Sequence, residues 1–241
     1  MYLSVVIPTL NEEQELPETL RRAQAVPEVT EIIISDGGST DRTLAVAQSA
    51  KAQIVTGGAG RGAQLRRGAE QATGDVVVLL HADTWLPHNA GQALVEALGS
   101  GSDIPSGANR PIVGGGFQKS FRDASWGLRS TARWRSRAYF QLTGRFFGDQ
   151  AIFVRRDRLT AIGGVPPLPL MEEFALCREL KKIGQLVLVQ AAVCTSARRF
   201  RDQGALRTWW MMFRLQVSWS RGTAPTELHR RYYSNTPRHR F

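Results

Sequence analysis

At 241 residues the chain can form one large domain, or a domain with an appendage, around a substantial core. Hydrophobic and charged fractions of 42% and 22% are ordinary for a globular protein. The only cysteines, Cys177 and Cys194, show no CxxC and no metal-ligand spacing, so they read as buried free thiols of a reducing compartment. A net charge of +10 points to an anionic partner: nucleotide phosphates, an acidic membrane surface or nucleic acid. The plain alternative is a solvated basic surface. Residues 1–8 lack a basic leader and break at Pro8, and no apolar run approaches the ~20 residues needed to cross a bilayer. The expectation is a cytoplasmic protein, with peripheral contact at the inner face of the membrane left open.

In chain order, residues 3–8 form a β-rich run, after which Asn11 is placed to cap a helix carrying Leu16, Leu20 and Ala23 on one face. Residues 31–35 are a second buried strand, running into Asp36-Gly37-Gly38-Ser39-Thr40-Asp41. Glycine allows a tight turn there, and Ser39 to Asp41 can cap a helix over 42–49. Residues 53–56 make a third strand, followed by a glycine-rich loop at 57–62 and a helix ending near Thr73-Gly74. Next, residues 75–80 read as a fully buried strand in the middle of a parallel sheet, ending in the polar tip His81-Ala82-Asp83.

That alternation of strand and helix is the pattern of a doubly wound sheet. Open α/β sheets bind ligands outside the carboxyl ends of their strands, where Asp36 and Asp83 fall. Each aspartate could instead cap a helix, but three polar strand ends converging on one edge favour a ligand site. The glycine loop does not complete GxGxxG, because Ala63 stands at its third glycine, and no P-loop, HExxH or GxSxG is present.

Downstream, a helix near 88–98 leads to a loop at 99–107 and a strand over 113–117. Residues 121–142 read as a helix with Phe121, Leu128, Ala132 and Tyr139 on one stripe and Arg122, Arg129, Arg133 and Arg137 on the next. The basic stripe is first a wet face; its functional alternative is an anionic acceptor or anionic lipid. Gly148-Asp149-Gln150 precedes an apolar run at 151–154, and Gly163-Gly164 marks a turn. A proline-rich entry leads to Glu172-Glu173 at the head of a helix through Cys177, Leu180 and Ile183. Carboxylates there suit the helix dipole, or supply a general base beside a cleft.

A last strand covers 185–189, and a basic run follows at 197–201. In the helix over 205–219 only Arg207, Arg214 and Ser218 form a polar strip. Trp209, Trp210, Met212, Phe213, Leu215, Val217 and Trp219 cover most of the rest, so it needs a core, a dimer or a bilayer interface. Core or self-association is the preferred reading, with peripheral membrane contact as the alternative. The basic end at 230–240 is expected to fray.

Residues 5–13, Ser35-Asp36-Gly37-Gly38-Ser39-Thr40-Asp41, the run from Ala72 to Asp83, Gly148-Asp149-Gln150 and Leu170-Met171-Glu172-Glu173 together resemble the family 2 glycosyltransferases. More narrowly, they resemble the small bacterial branch of radical-SAM/selenodomain-associated transferases. The resemblance spans about residues 3–190. It implies a GT-A (Rossmann-like) α/β fold: a mostly parallel central sheet flanked by helices over 1–195, then a basic, aromatic-rich helical extension over 196–241.

The implied reaction is transfer of a sugar from a nucleotide-sugar, commonly a UDP-sugar, to an unidentified acceptor hydroxyl with inversion. By the same resemblance Pro8, Thr9, Leu10, Asn11, Glu12, Asp36 and Gly38 hold the uridine. Arg61, Gln64, His81, Ala82 and Asp149 extend the donor site. Asp83 binds Mn²⁺ or Mg²⁺ on the diphosphate, a hard cation with oxygen ligands. Glu173 is the base, with Glu172 in reserve.

Two positions depart from the family pattern. His81 replaces the first aspartate of D-x-D, either as a ligand or as a packed histidine, and Glu173 replaces the usual aspartate. The rival functions are a nucleotidyltransferase acting on a nucleoside triphosphate and a non-enzymatic protein for anionic membrane or nucleic acid. No glycine-rich signature near residue 10 supports the first, and no nucleic-acid-binding motif supports the second.

Overall fold

The computed structural model describes residues 1–99 and 110–234; most of the expected 99–107 loop and the basic end beyond 234 lie outside the described residues. Strand and helix alternate at first as expected: β1 (Leu3–Thr9), α1 (Leu16–Gln24), β2 (Val29–Asp36), α2 (Thr43–Ser49), β3 (Gln53–Thr56), α3 (Arg61–Ala69) and β4 (Val76–Leu79). The chain continues through β5 (Thr84–Trp85), α4 (Ala90–Leu98), β6 (Ile112–Arg122), α5 (Trp126–Thr143) and a 3₁₀ turn at Gly148–Gln150. After it come β7 (Ile152–Arg155), α6 (Arg156–Ala161), α7 (Glu172–Ile183), β8 (Gln185–Ser196), α8 (Arg198–Gln203), α9 (Ala205–Ser220) and α10 (Pro225–Ser234).

One sheet runs in the order β3-β2-β1-β4-β7-β6-β8-β5. Its first four strands are mutually parallel, β7 runs against both β4 and β6, and β6 pairs parallel with β8. The expectation for β4 is thus corrected on one side: it is parallel to β1 but antiparallel to β7. Both faces of the sheet are covered, which is why its central strands read as unbroken apolar runs. On one face Val5, Ile7, Ile34 and Val78 pack with Leu16 and Leu20 of α1 and Leu94 of α4. On the other, Val6, Ile33, Val77 and Leu79 pack with Leu65 of α3 and Leu176 and Leu180 of α7.

This topology brings distant segments to one edge. Thr9 stands opposite Asp36, so β1 and β2 end together, and Leu79 stands opposite Ile152. Because β7 is reversed, its beginning, preceded by Asp149, meets the carboxyl ends of β1, β2 and β4.

Several local expectations are revised. Asn11 does not cap α1, which begins five residues later at Leu16; it adopts a left-handed φ of 56° and its side chain accepts the Thr40 N–H at 2.9 Å. Leu16, Leu20 and Ala23 are nevertheless buried on one face. The helix expected over 121–142 starts only at Trp126, so Phe121 and Arg122 belong to β6 and not to the helical stripes. There Arg122 pairs with Ser196 in the sheet and its guanidinium lies 4.0 Å from the Trp85 ring centroid. Strand β8 runs seven residues past Val189, because the long β6 gives it a partner along that length. Both cysteines are free, but only Cys177 is fully buried, and burial pushes its thiol up to about 12. Arg230 and Arg231 lie in α10, ion-paired to Glu227.

Candidate active site

The site begins with the turn after β2. Gly38, at a φ of 99°, turns the chain so that its own N–H and that of Ser39 donate to Asp36 Oδ2 at 2.7 and 2.8 Å. Thr9 Oγ1 and the Ser39 hydroxyl donate to Oδ1. Burial alone would raise the Asp36 carboxyl, but the bonds from Ser39, Gly38 and Thr9 outweigh it and hold it below its ordinary value. Asp36 is therefore a fixed anion at the ends of β1 and β2. Gln64, from α3, donates to the carbonyls of Thr9 and Ser35 at 2.8 and 2.9 Å, tying the two strand ends together. Pro8 lies in β1, and the backbone N–H groups of Asn11 and Glu12 donate to Ser39 Oγ and Thr43 Oγ1 at 2.9 and 2.8 Å. Leu10 to Glu12 are thus held against the β2 turn.

Beyond β4 the polar tip is also anchored. The Ala82 carbonyl accepts the Thr19 hydroxyl at 2.6 Å, and Thr84 pairs through β5 with Thr195 of β8. Asp83 does not cap a helix, since β5 intervenes before α4. Its carboxyl is raised first by burial and then by the charges of Glu15 and Asp149, against which Arg198 and Arg122 act. Arg198 Nη2 lies 4.0 Å from Asp83 Oδ2. Glu12 is pushed up to about 7, by burial first and then by the Asp83 charge. Glu12, Glu15, Asp83 and Asp149 thus crowd one corner, where Arg122, Arg198 and Lys119 offset only part of their charge.

Across the edge, Arg61 opens α3 and bridges the acidic pair of α7. Its Nε donates to Glu172 Oε1 and its Nη2 to Glu173 Oε2 at 3.1 Å. Gly62 makes this approach possible, because a Cβ there would lie 2.4 Å from the Leu168 carbonyl oxygen and 2.8 Å from that of Pro166. Met171, held in the left-handed region at a φ of 65°, then turns the chain so that both carboxylates enter the site from the first turn of α7. Both residues are buried. Burial works against ionisation of either, but the Arg61 charge keeps Glu172 low, while burial and the Glu172 charge raise Glu173. The second Glu172 oxygen is buried without a hydrogen-bond partner.

Between the two groups, His81 Nε2 lies 3.4 Å from Arg61 Nη1 and close under Gly148, where a Cβ would come within 2.6 Å. Asp149 is gripped by Lys119 Nζ at 2.9 and 3.1 Å, and that ammonium, followed by His81 and Arg61, keeps its carboxyl low against the opposing effect of burial.

Every expected site residue thus lies on the carboxyl edge, in two groups: a turn built on Asp36, and an ionic cluster of Arg61, His81, Asp149, Glu172 and Glu173, with Asp83 near the latter. Gln64 spends both amide hydrogens on the walls of the site. Lys119 and Arg198 were not singled out in the sequence. Lys119 sits in the part of β6 beyond the expected strand, and Arg198 was visible only as part of a basic run.

An open, mostly parallel sheet flanked by helices, with a fixed aspartate, a carboxylate-rich corner and a buried acidic pair gathered on its carboxyl edge, has the architecture of the GT-A type. The family model described as glycosyl transferase family 2 matches residues 4–158, and the chain belongs to that family. Among named relatives, the undecaprenyl-phosphate 4-deoxy-4-formamido-L-arabinose transferase of Pseudomonas paraeruginosa is 32% identical over 193 residues, covering 73% of this chain and 50% of that protein. Its counterpart in Sodalis glossinidius is 29% identical, covering 65% and 48%. The chain therefore spans about half the length of these relatives.

Two solved structures share the fold. S. aureus TarS 1–349 superposes with a TM-score of 0.61 at 16% identity, over 82% of this chain and 61% of that one. Glucosyl-3-phosphoglycerate synthase from Mycobacterium tuberculosis, solved with Mn²⁺, uridine diphosphate and glucosyl-3-phosphoglycerate, gives 0.56 at 23%, over 79% and 70%. The family assignment leaves the nucleotidyltransferase and the non-enzymatic rivals without support.

Proposed function

We propose that the chain transfers a sugar from a nucleotide-sugar, a UDP-sugar by the resemblance, to an acceptor oxygen presented by a lipid. The observation that carries this reading is the meeting of Asp36, Asp83 and the Arg61-bridged Glu172–Glu173 pair at one sheet edge. Residues 1–195 form the catalytic domain, and 196–241 an extension whose described helices pack on it through Leu215, Leu228 and Tyr232. The nucleoside lies against Pro8 to Glu12, Asp36 and Gly38, and the diphosphate lies toward Arg61, His81 and Asp83, with Asp149 and its Lys119 partner beside them. The lipid acceptor follows from the relatives, which are named for transfer to undecaprenyl phosphate. The same reading keeps the protein in a reducing compartment, at the inner face of a membrane.

A divalent cation fits the corner at Asp83. That carboxylate lies among Glu12, Glu15 and Asp149; against these four carboxylates stand Arg198, 4.0 Å from Asp83, Arg122 on Glu15 and Lys119 on Asp149, so negative charge remains in excess. Among the described residues no three His, Cys, Asp or Glu form a ready cage. The donor set is therefore one carboxylate together with substrate phosphates, which suits Mg²⁺ or Mn²⁺. When bound, the ion neutralises charge on the leaving diphosphate.

For a hydroxyl acceptor, Glu173 takes the O–H proton as the oxygen bonds to the anomeric carbon, and the bond to the diphosphate breaks with its electron pair. Such a base contributes on the order of 10²–10⁴ in rate. It must first lose its own proton, which burial and Glu172 hold, so the rate rises on the alkaline side of the ordinary glutamate range.

The raised Glu173 carboxyl also favours a second reading, in which the acceptor is a phosphate oxygen, already anionic, and neutral Glu173 donates a hydrogen bond to it. Glu173→Gln separates the two: the hydroxyl reading predicts UDP binding without transfer, the phosphate reading transfer largely retained. Asp83→Ala should remove the metal dependence of UDP binding in calorimetry. Metal dependence left unchanged in that variant would remove Asp83 from its role.

A further inference from the structure

The outward side of α9 is used neither by the site nor by the core. Helical spacing gathers Leu206, Trp209, Trp210 and Phe213 there, with 88%, 42%, 62% and 56% of their surface exposed. The core expected for that helix takes only its other side. Trp210 and Phe213 stack with ring centroids 5.8 Å apart. The opposite side is the one that packs, where Leu215 is buried among Met171, Phe174, Leu228 and Tyr232.

The aromatic strip is rimmed by positive charge. Arg207 and Arg214 follow it along one side, and on the other the Arg135 guanidinium of α5 lies 3.4 Å from the Trp209 ring centroid. Neither α5 nor α9 contains an aspartate or glutamate. Arg129, Arg133, Arg137, Arg207 and Arg214 have no carboxylate partner among the described residues. Trp126 and Trp134 add exposed indoles on α5.

Charge decides between the two remaining occupants. A second copy would set two arginine-rich, carboxylate-free surfaces face to face, which is repulsive. An anionic bilayer attracts the same arginines, and tryptophan settles at the headgroup level. We propose that α9, with α5 beside it, is a docking surface for an anionic bilayer, lying in the plane of the headgroups with Leu206, Trp209, Trp210 and Phe213 immersed. Since Leu215 packs on Met171 and Phe174, the membrane face is about one helix diameter, ~10 Å, from the turn carrying Glu172 and Glu173. A bilayer-anchored acceptor would therefore be delivered beside the acidic pair. That consequence rests on the transferase reading, whereas the docking does not.

The test floats the full chain with phosphatidylcholine vesicles, with and without phosphatidylglycerol, and needs no donor. Expected is binding that requires phosphatidylglycerol, weakens with salt, and falls about tenfold or more in Leu206→Ser/Trp210→Ser/Phe213→Ser and in Arg207→Gln/Arg214→Gln. The replaced side chains are on the surface, and circular dichroism with UDP calorimetry on each variant verifies the fold. Equal flotation of wild type and both variants overturns the proposal. So does a wild type that ignores vesicles but sediments as a dimer the aromatic variant dissolves. Loss of UDP binding with vesicle binding intact would strike the donor-site reading alone.

Discussion

Replacing Arg61 by methionine removes the cation that bridges Glu172 and Glu173, while keeping a side chain of similar length. Glu172 has 2% of its side chain exposed and Glu173 10%, so neither carboxylate regains water when the guanidinium is lost. The folded protein limits the penalty by keeping a proton on the unpaired carboxyl. The cost at a given pH is then bounded by the distance from the ordinary value of 4.5, at about 1.4 kcal/mol per pH unit. For one carboxyl this gives about 4 kcal/mol at pH 7.5 and about 1 kcal/mol at pH 5.5.

In the wild type Glu172 and Glu173 act with opposite signs, because Glu173, raised to about 8, takes stability away as pH rises from 4.5. In the wild type the lowered Glu172 contributes stability that is present above pH 4.5 and lost as pH falls below it. In the variant the folded value is raised above 4.5, so stability declines as pH rises. Urea unfolding at pH 5.5 and 7.5 measures both curves, which should separate by about 3 kcal/mol more at the higher pH. A loss that does not vary with pH, or stays under about 0.5 kcal/mol at pH 7.5, would show that the pair is solvated and the reasoning wrong.

Glu12→Gln should stabilise the metal-free protein. The Glu12 value of about 7 lies above its ordinary 4.5, so wild-type stability falls as pH rises from 4.5 through 7, by up to about 3 kcal/mol. The melting temperature of the variant should therefore exceed that of the wild type at pH 8 and converge with it near pH 4.5; the opposite trend would refute the crowding of Glu12 and Asp83. Gly62→Ala drives a methyl into the backbone of Leu168 and Pro166, and should cost about 1–3 kcal/mol in urea unfolding. Because the same loop carries Glu172 and Glu173, transfer should fall at least about tenfold with UDP binding changed far less. Unaltered transfer would mean that the loop adjusts without moving the pair.

Strands β1, β2 and β4 were legible because each carries an apolar run buried on both faces and closed by a polar turn. The strand ends at Asp36 and Asp83 were legible for the same reason. What failed in the sequence depends on pairing between distant segments. Phe121 and Arg122 fit the helical spacing of Leu128 and Arg129, yet β8 holds them in the sheet out to Ser196. Lys119 was lost with them, although it grips Asp149. Asn11 has the chemistry of a helix cap, but the nearby Asp36 turn offers the Thr40 N–H and takes the side chain instead. Nothing local announces that Arg198 approaches Asp83, since β8 must first return to β5 beside it. For α9 the composition was read correctly as needing cover, but only the packed structure shows which side the protein itself leaves open.

The most direct measurement is a thermal-shift panel of nucleoside diphosphates and nucleotide-sugars, each with and without Mn²⁺, on the wild type and on Asp36→Ala and Asp83→Ala. Ligands of the folded state raise the melting temperature by mass action. The account predicts that UDP and a UDP-sugar stabilise the wild type more with Mn²⁺ than without. It also predicts that Asp83→Ala loses the Mn²⁺ increment and Asp36→Ala the nucleotide effect itself. Shifts of equal size for all nucleotides, or shifts that survive both substitutions, would contradict a nucleotide-sugar site at this edge of the sheet.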